Sequence, residues 1–240
     1  MTPIIYTENL NRSFVTRKQA VYVLKNINIK VQPNTLTILK GKSGSGKTTL
    51  INLLGALDSP TSGKIYFKDH ETTALSSKKL DSLRRSNMGF IFQSFALISL
   101  MSAYENVEFA LRIADYNSRD AKLKAEECLE MVGLTKRMHH RPQEMSGGEQ
   151  QRVAIARAMA HKPSIIFADE PTAELDAHNS IHVMKLFRDL VKDKGITIVM
   201  TTHDPNIMEL GDYVITLQDG EVIDEKWNIE YEGDADNGSM

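Results

Sequence analysis

The sequence predicts an α/β domain in which helices cover a mainly parallel sheet, and three observations predict it. A glycine-rich loop at residues 41–46 joins a short apolar run to a helical stretch. After residue 146, apolar runs rich in β-branched residues alternate with helical stretches, the order in which strands pair in parallel through helical crossovers. From Tyr104 to Gly133 the apolar spacing turns helical, which predicts a helical subdomain over about 94–145 inserted into the α/β frame. With 240 residues, 41% of them hydrophobic and 25% charged, the chain has ordinary globular composition and room for one sizeable domain. A single domain over 1–230 is expected, followed at 231–240 by a flexible acidic tail in which Glu232, Asp234 and Asp236 stand among Gly and Asn.

The first strands are expected at 4–8 and 21–29, where alternation combines with β-branched residues, and at 36–39, a short apolar run. Further strands are expected at 63–67 and 88–93, separated by a basic helical segment with Lys78, Lys79, Arg84 and Arg85 on a solvated face. In the helical subdomain the spacing marks Val107, Leu111, Leu123, Leu129, Met131 and Val132 as core positions. Beyond it come a strand at 165–168, a helix over about 178–194 and a strand at 196–201. Asp219-Gly220, between apolar runs at 214–217 and 222–223, signals a hairpin.

No stretch approaches the roughly 18 to 20 uninterrupted apolar residues of a spanning helix, and the N-terminus shows no basic region followed by an apolar run. Membrane attachment is therefore expected to be peripheral. Cys128, the single cysteine, has no intrachain disulfide partner, which fits a reducing cytoplasm, and is expected as a partly buried helix residue. With 29 basic against 31 acidic residues, the chain lacks the positive excess of a protein that grips phosphate backbones, and no nucleic-acid partner is expected.

Gly41-Lys42-Ser43-Gly44-Ser45-Gly46-Lys47-Thr48 matches the phosphate-binding loop pattern, in the strand-to-helix context that the pattern requires. Glycines let successive backbone N–H groups converge on phosphate oxygens, and the helix N-terminus adds its dipole. Lys47 supplies a point charge between the β- and γ-phosphates of ATP, the Thr48 hydroxyl is placed for Mg²⁺, and Thr49 follows within the same nucleotide-binding segment. The run at 165–168 ends in Asp169 and Glu170, at the C-terminal edge where parallel sheets bind ligands. Asp169 is expected to hold Mg²⁺ directly or through water, and Glu170 to polarise a water for attack on the γ-phosphate. Ser146-Gly147-Gly148 opens a further helix; it is either a second anion site, through two backbone N–H groups and a hydroxyl, or an ordinary helix cap.

These segments, with Thr201-Thr202-His203-Asp204, occur in the order and spacing of ABC ATPases, which the chain resembles over nearly its whole length. Leu54-Gly55-Ala56-Leu57-Asp58, Asn87-Met88-Gly89-Phe90-Ile91-Phe92-Gln93 and Tyr104-Glu105-Asn106-Val107 resemble most the branch serving lipoprotein release, macrolide export and antimicrobial-peptide resistance (MacB/LolD-like). The resemblance implies a P-loop NTPase with a RecA-like, mainly parallel sheet, an antiparallel β subdomain and the helical insert. It implies an ATP-hydrolysing subunit at the inner face of the cell membrane, with a separate transmembrane permease as partner.

It also implies an ATP-dependent head-to-tail homodimer, in which ATP on one P-loop is closed over by Ser146, Gly147, Gly148 and Glu149 of the other copy. On this reading Gln93 senses Mg²⁺ and the attacking water, His203 contacts the γ-phosphate, and Asp176 lies in the loop linking the two sites. Phe14 falls where the family usually has an aromatic that stacks on adenine; a core role is the alternative. The chain departs from the family at Met145 and Glu149, commonly Leu and Gln, and at Glu174, often a small residue. Glu149 brings negative charge towards a nucleotide, which either weakens closure or is offset by the helix dipole.

The apolar run Phe95, Ala96, Leu97, Ile98, Leu100 and Met101 follows no clean period. It belongs either to the helical-subdomain core or to a groove that accepts a short helix of the membrane subunit. Two other functional readings stand beside the transporter motor: a soluble ABC ATPase of DNA repair or translation, and a module that binds ATP without turnover. The first lacks its usual inserted coiled coils or second cassette, and the second is opposed by intact Lys47, Asp169, Glu170 and His203.

Overall fold

The structure, a computed structural model, describes residues 2–15 and 20–228. The expected acidic tail lies outside the described residues. The chain opens with β1 (Ile5–Val15), β2 (Ala20–Ile27), β3 (Lys30–Val31) and β4 (Leu36–Lys40), then enters α1 (Lys47–Leu54). After it come β5 (Ser62–Phe67), β6 (His70–Glu71), α2 (Ser77–Asn87) and β7 (Met88–Ile91). The helical insert carries α3 (Ala103–Ile113) and α4 (Ser118–Met131). The remaining elements are α5 (Gly147–Met159), β8 (Ile165–Ala168), α6 (Ala177–Lys194), β9 (Thr197–Thr202), α7 (Pro205–Met208), β10 (Tyr213–Gln218) and β11 (Glu221–Trp227).

Among the described residues these strands form two sheets. The first is antiparallel, in the order β2-β1-β5-β6 with β3 also on β1. The second runs β11-β10-β4-β9-β8-β7, parallel from β10 to β7, with β11 closing one edge antiparallel to β10. Every residue of β8 and β9 is buried, which is why these strands read as continuous apolar runs rather than as alternations. The short pairings β3 and β6, two residues each, carry too little pattern to be read from sequence. The Asp219-Gly220 hairpin forms, with both residues in the left-handed region at φ 51° and 82°.

Successive side chains of the parallel sheet feed two cores. Ile38, Ile166, Ile198 and Met200 pack with the buried faces of α3 to α6, whereas Leu39, Phe167, Val199 and Ile215 pack with α1 and the antiparallel sheet. In the insert, Ser102 and Glu105 cap α3 reciprocally and Asn117 caps α4. Val107, Leu111, Leu129 and Val132 are buried as expected. Leu123 and Met131 are not: they are 53% and 41% exposed. The buried stripe of α4 runs instead through Ala121, Ala125, Cys128 and Leu129, small residues that let the helix approach its neighbours. Leu123 lies two residues from each of the first two, on the opposite side of a 3.6-residue turn. Cys128 is fully buried rather than partly, and desolvation pushes its thiol up to about 11.

Candidate functional site

The turn between β4 and α1 is built from backbone that only glycine adopts without strain. Gly44 and Gly46 have φ of 80° and 101°, and a Cβ at Gly46 would sit 2.7 Å from Leu24 Cδ2 and 2.9 Å from Val23 O. The loop is thereby pressed against β2. Lys47, only 5% exposed, folds back under it and donates to Gly41 O at 2.8 Å and Lys42 O at 3.2 Å. Ser45 Oγ is buried in the loop without a hydrogen-bond partner among the described residues. Lys42, Ser43, Gly44 and Thr48 face solvent and Thr49 is half-buried. A ring of first-turn N–H groups, a caged ammonium and an unsatisfied hydroxyl form a cradle for an anion.

Of the two carboxylates after β8, two strands from β4 across β9, Asp169 meets this loop directly. Asp169 Oδ1 accepts from Thr48 Oγ1 at 3.1 Å and from Thr201 Oγ1 at 2.7 Å. Thr201, fully buried at the end of β9, also accepts the Glu170 N–H at 2.8 Å, so one hydroxyl locks both acids. Glu170 sits at φ 45°, a conformation that costs a non-glycine residue energy and is retained where surroundings impose it. Its Oε2 lies 3.3 Å from His203 Nδ1. Thr201 carried no role in the sequence reading; its signal is an otherwise unexplained polar residue at the tip of an apolar strand.

Gln93, after β7, is exposed, and its Nε2 donates to Glu174 Oε1 at 3.4 Å rather than to Asp169. Phe14 is 43% exposed with the Arg12 guanidinium 4.5 Å from its ring centroid. The alternative of a core role for Phe14 is therefore ruled out.

Ser146, Gly147, Gly148 and Glu149 begin α5, and among the described residues no hydrogen bond or ion pair joins them to the 41–48 loop. Ser146 caps the helix: its Oγ accepts from Glu149 N at 3.3 Å while Glu149 Oε2 accepts from Ser146 N at 2.8 Å. Gly148 lies hard against Asn179: a Cβ there would sit 2.3 Å from Asn179 Oδ1 and would force that side chain to move. Asn179 is held in turn by Asp176, the N-cap of α6, which accepts from its backbone and side-chain nitrogens at 2.8 Å each. Those bonds hold the Asp176 carboxyl below its usual range. Gln151, fully buried, donates to Pro171 O at 2.6 Å. The helix bearing the Ser-Gly-Gly turn is thus tied to the segment 169–176 of the same chain.

Next to Gln93, Phe95 and Ala96 have φ of 61° and 49°, and Arg157 of α5 holds both their carbonyls. Leu97 packs on the core. Phe92 and Ala96 instead line a groove of about 660 Å³ with Leu57, Phe90, Ala110 and Ile113, flanked by Lys78, Arg84 and Arg85.

Comparison with known proteins matches residues 24–173 to the family described as ABC transporter. Two uncharacterized ABC transporter ATP-binding proteins of Methanocaldococcus jannaschii are each 41% identical, over 92% and 91% of this chain and 98% and 95% of their own lengths. The macrolide export ATP-binding/permease protein MacB of Marinobacter nauticus is 42% identical over 93% of this chain, which spans 34% of that longer protein. A dimeric structure of an ATP-binding cassette in a post-hydrolysis state, bound to ADP and Pi, superposes with a TM-score of 0.88 at 38% identity. It covers 95% of this chain and 100% of its own.

Proposed function

The chain belongs to the ABC transporter family, as an ATP-binding ATPase, and from that premise we propose that it powers export or extraction of a lipoprotein, macrolide or antimicrobial peptide through a separate membrane permease. The observation that carries the catalytic reading is the direct 3.1 Å bond between Thr48 of the phosphate loop and Asp169. It joins an anion cradle to the acid pair that phosphoryl transfer requires.

In the proposed mechanism the N–H groups of 41–46 and the Lys47 ammonium receive the β- and γ-phosphates, which replace the Gly41 and Lys42 carbonyls as partners of Lys47. Thr48, Asp169 and Gln93 offer hydroxyl, carboxylate and amide oxygens, a hard donor set that fits Mg²⁺. When bound, the ion neutralises charge on the phosphates. Glu170 accepts a hydrogen bond from the attacking water and aims its lone pair at the γ-phosphorus, while the bond to the ADP oxygen breaks. His203, 3.3 Å from Glu170, contacts the γ-phosphate. Phe14 presents a half-exposed ring on which adenine would stack. Ser146, Gly147, Gly148 and Glu149 of a second copy close the site head-to-tail, with Asp176 linking the two.

The groove beside Gln93 is the proposed seat of a short permease helix, because Leu57, Phe90, Phe92, Ala110 and Ile113 give it an apolar floor with basic residues at its rim, and it lies between the sensor strand and the helical subdomain over about 94–145. No helix among the described residues is long and apolar enough to cross a membrane, and the proposed location is cytoplasmic, peripheral on the membrane's inner face. Glu170→Gln tests the assignment: it removes the water-orienting carboxylate while reducing negative charge opposite the γ-phosphate. ATP binding is expected to persist, turnover to fall by roughly 10²-fold or more, and an ATP-bound dimer to accumulate in gel filtration. Normal turnover in this variant would exclude Glu170 as the water-positioning group.

A further inference from the structure

Glu149 places a carboxylate in the first turn of α5, the helix end that is proposed to meet a second copy's γ-phosphate. Its charge is permanent at working pH, because the Ser146 N–H bonded at 2.8 Å, helped by Arg137 and Arg152, holds the carboxyl below its usual range. The reciprocal cap uses the N–H groups of Ser146 and Glu149. Those of Gly147 and Gly148 remain as first-turn donors with no intrahelical acceptor. The donors that would grip a phosphate and the charge that would repel it therefore occupy one helical turn.

Magnitudes decide which dominates. A helix N-terminus carries the equivalent of roughly half a positive charge, so an uncompensated carboxylate beside it leaves the turn net negative. The structure supplies the compensation: Arg137 Nε lies 3.2 Å from the free Glu149 oxygen, Oε1. Arg137 stands on the 3-10 turn Thr135–Arg137 after α4, a turn anchored by the buried Leu134. Its Nη1 also meets His140 Nε2 at 3.1 Å. The Glu149 side chain is 18% exposed and that of Arg137 47%, so the acid is sheltered while its counter-ion lies nearer to solvent.

We propose that Arg137 is a positioning residue for ATP-driven closure: by pairing with Glu149 it cancels the charge at the α5 N-terminus and leaves the helix dipole to attract the γ-phosphate. This rests on the head-to-tail pairing proposed above. Sedimentation of chains carrying Glu170→Gln, titrated with ATP, reads closure directly. An exposed ion pair is worth a factor of about two to five at one site, and two sites close at once, so Arg137→Ala is expected to weaken dimerisation roughly tenfold. Arg137→Lys retains most of the closure, and raised salt shrinks the Arg137→Ala deficit. Adding Glu149→Gln to Arg137→Ala removes the uncompensated charge and restores dimerisation to within about twofold of the parent.

An Arg137→Ala chain that dimerises like its parent overturns the inference. So does a double variant no better than Arg137→Ala alone, which would assign Arg137 to the fold of its turn. A parent that stays monomeric at saturating ATP overturns the head-to-tail pairing instead, and the inference with it.

Discussion

Lys47 and Thr201 illustrate two ways in which a single side chain prepares the site. The Lys47 ammonium is nearly enclosed and already held by two loop carbonyls, so its charge is partly desolvated and positioned before any phosphate arrives. Thr201 never needs to touch the nucleotide; its hydroxyl fixes the Asp169 carboxylate and the Glu170 backbone. Their substitutions should separate. Lys47→Ala is expected to lower ATP affinity at least tenfold by calorimetry, because the lost charge is used in the ground state. Thr201→Val keeps the volume and should leave ATP affinity within a few-fold while slowing phosphate release about 10- to 100-fold, the usual cost of releasing an outer-shell partner. Equal loss of affinity in both variants would contradict this division.

At the scale of elements, the helical insert depends on small residues and polar clamps as much as on large apolar ones. Asn106 on α3 accepts from the Ile98 N–H and donates to the carbonyls of Ile98, Met101 and Ser102, pinning the irregular stretch before the helix. The phase of α4 is set by Ala121, Ala125 and Cys128, whose short side chains permit close packing on its neighbours. Leu129→Ala, at a fully buried position, should destabilise the fold by about 2–5 kcal/mol. Leu123→Ser should stay within about 0.5 kcal/mol of the parent. Urea denaturation midpoints check both, and a large loss at Leu123 would contradict the observed phase.

At the scale of the molecule, the parallel sheet gathers the chemistry at one edge because β4, β8 and β9 all end there, delivering the phosphate loop, Asp169-Glu170 and Thr201-His203 together. β7 leads from the same edge through Gln93 to the apolar groove, and Arg157 braces that passage from α5. In the proposed mechanism, a nucleotide-driven shift of α5 would reach the permease seat through this passage. Phe92→Asp and Ile113→Asp change side chains that are 37% and 50% exposed, so folding and ATP binding should survive. Copurification with the permease from detergent-solubilised membranes should fall at least tenfold if the groove is the seat. Wild-type recovery of the permease with both variants would place the contact elsewhere.

Much of this was legible in the sequence because it is encoded locally. The phosphate loop needs left-handed backbone at Gly44 and Gly46, Ser146-Gly147-Gly148 opens a helix, and Asp169-Glu170 ends an apolar run, so each is written in neighbouring residues. The tertiary structure alone decided what depends on contacts between distant segments. Thr201 reaches Asp169 across neighbouring strands, Gln151 reaches Pro171, Arg137 reaches Glu149 and Arg157 reaches Phe95 and Ala96. The phase of α4 belongs with these, since spacing marks large apolar residues as core, whereas close helix approach selected alanines and a cysteine. A periodic pattern records which face is apolar; which face is buried is settled by the shape of what it packs against.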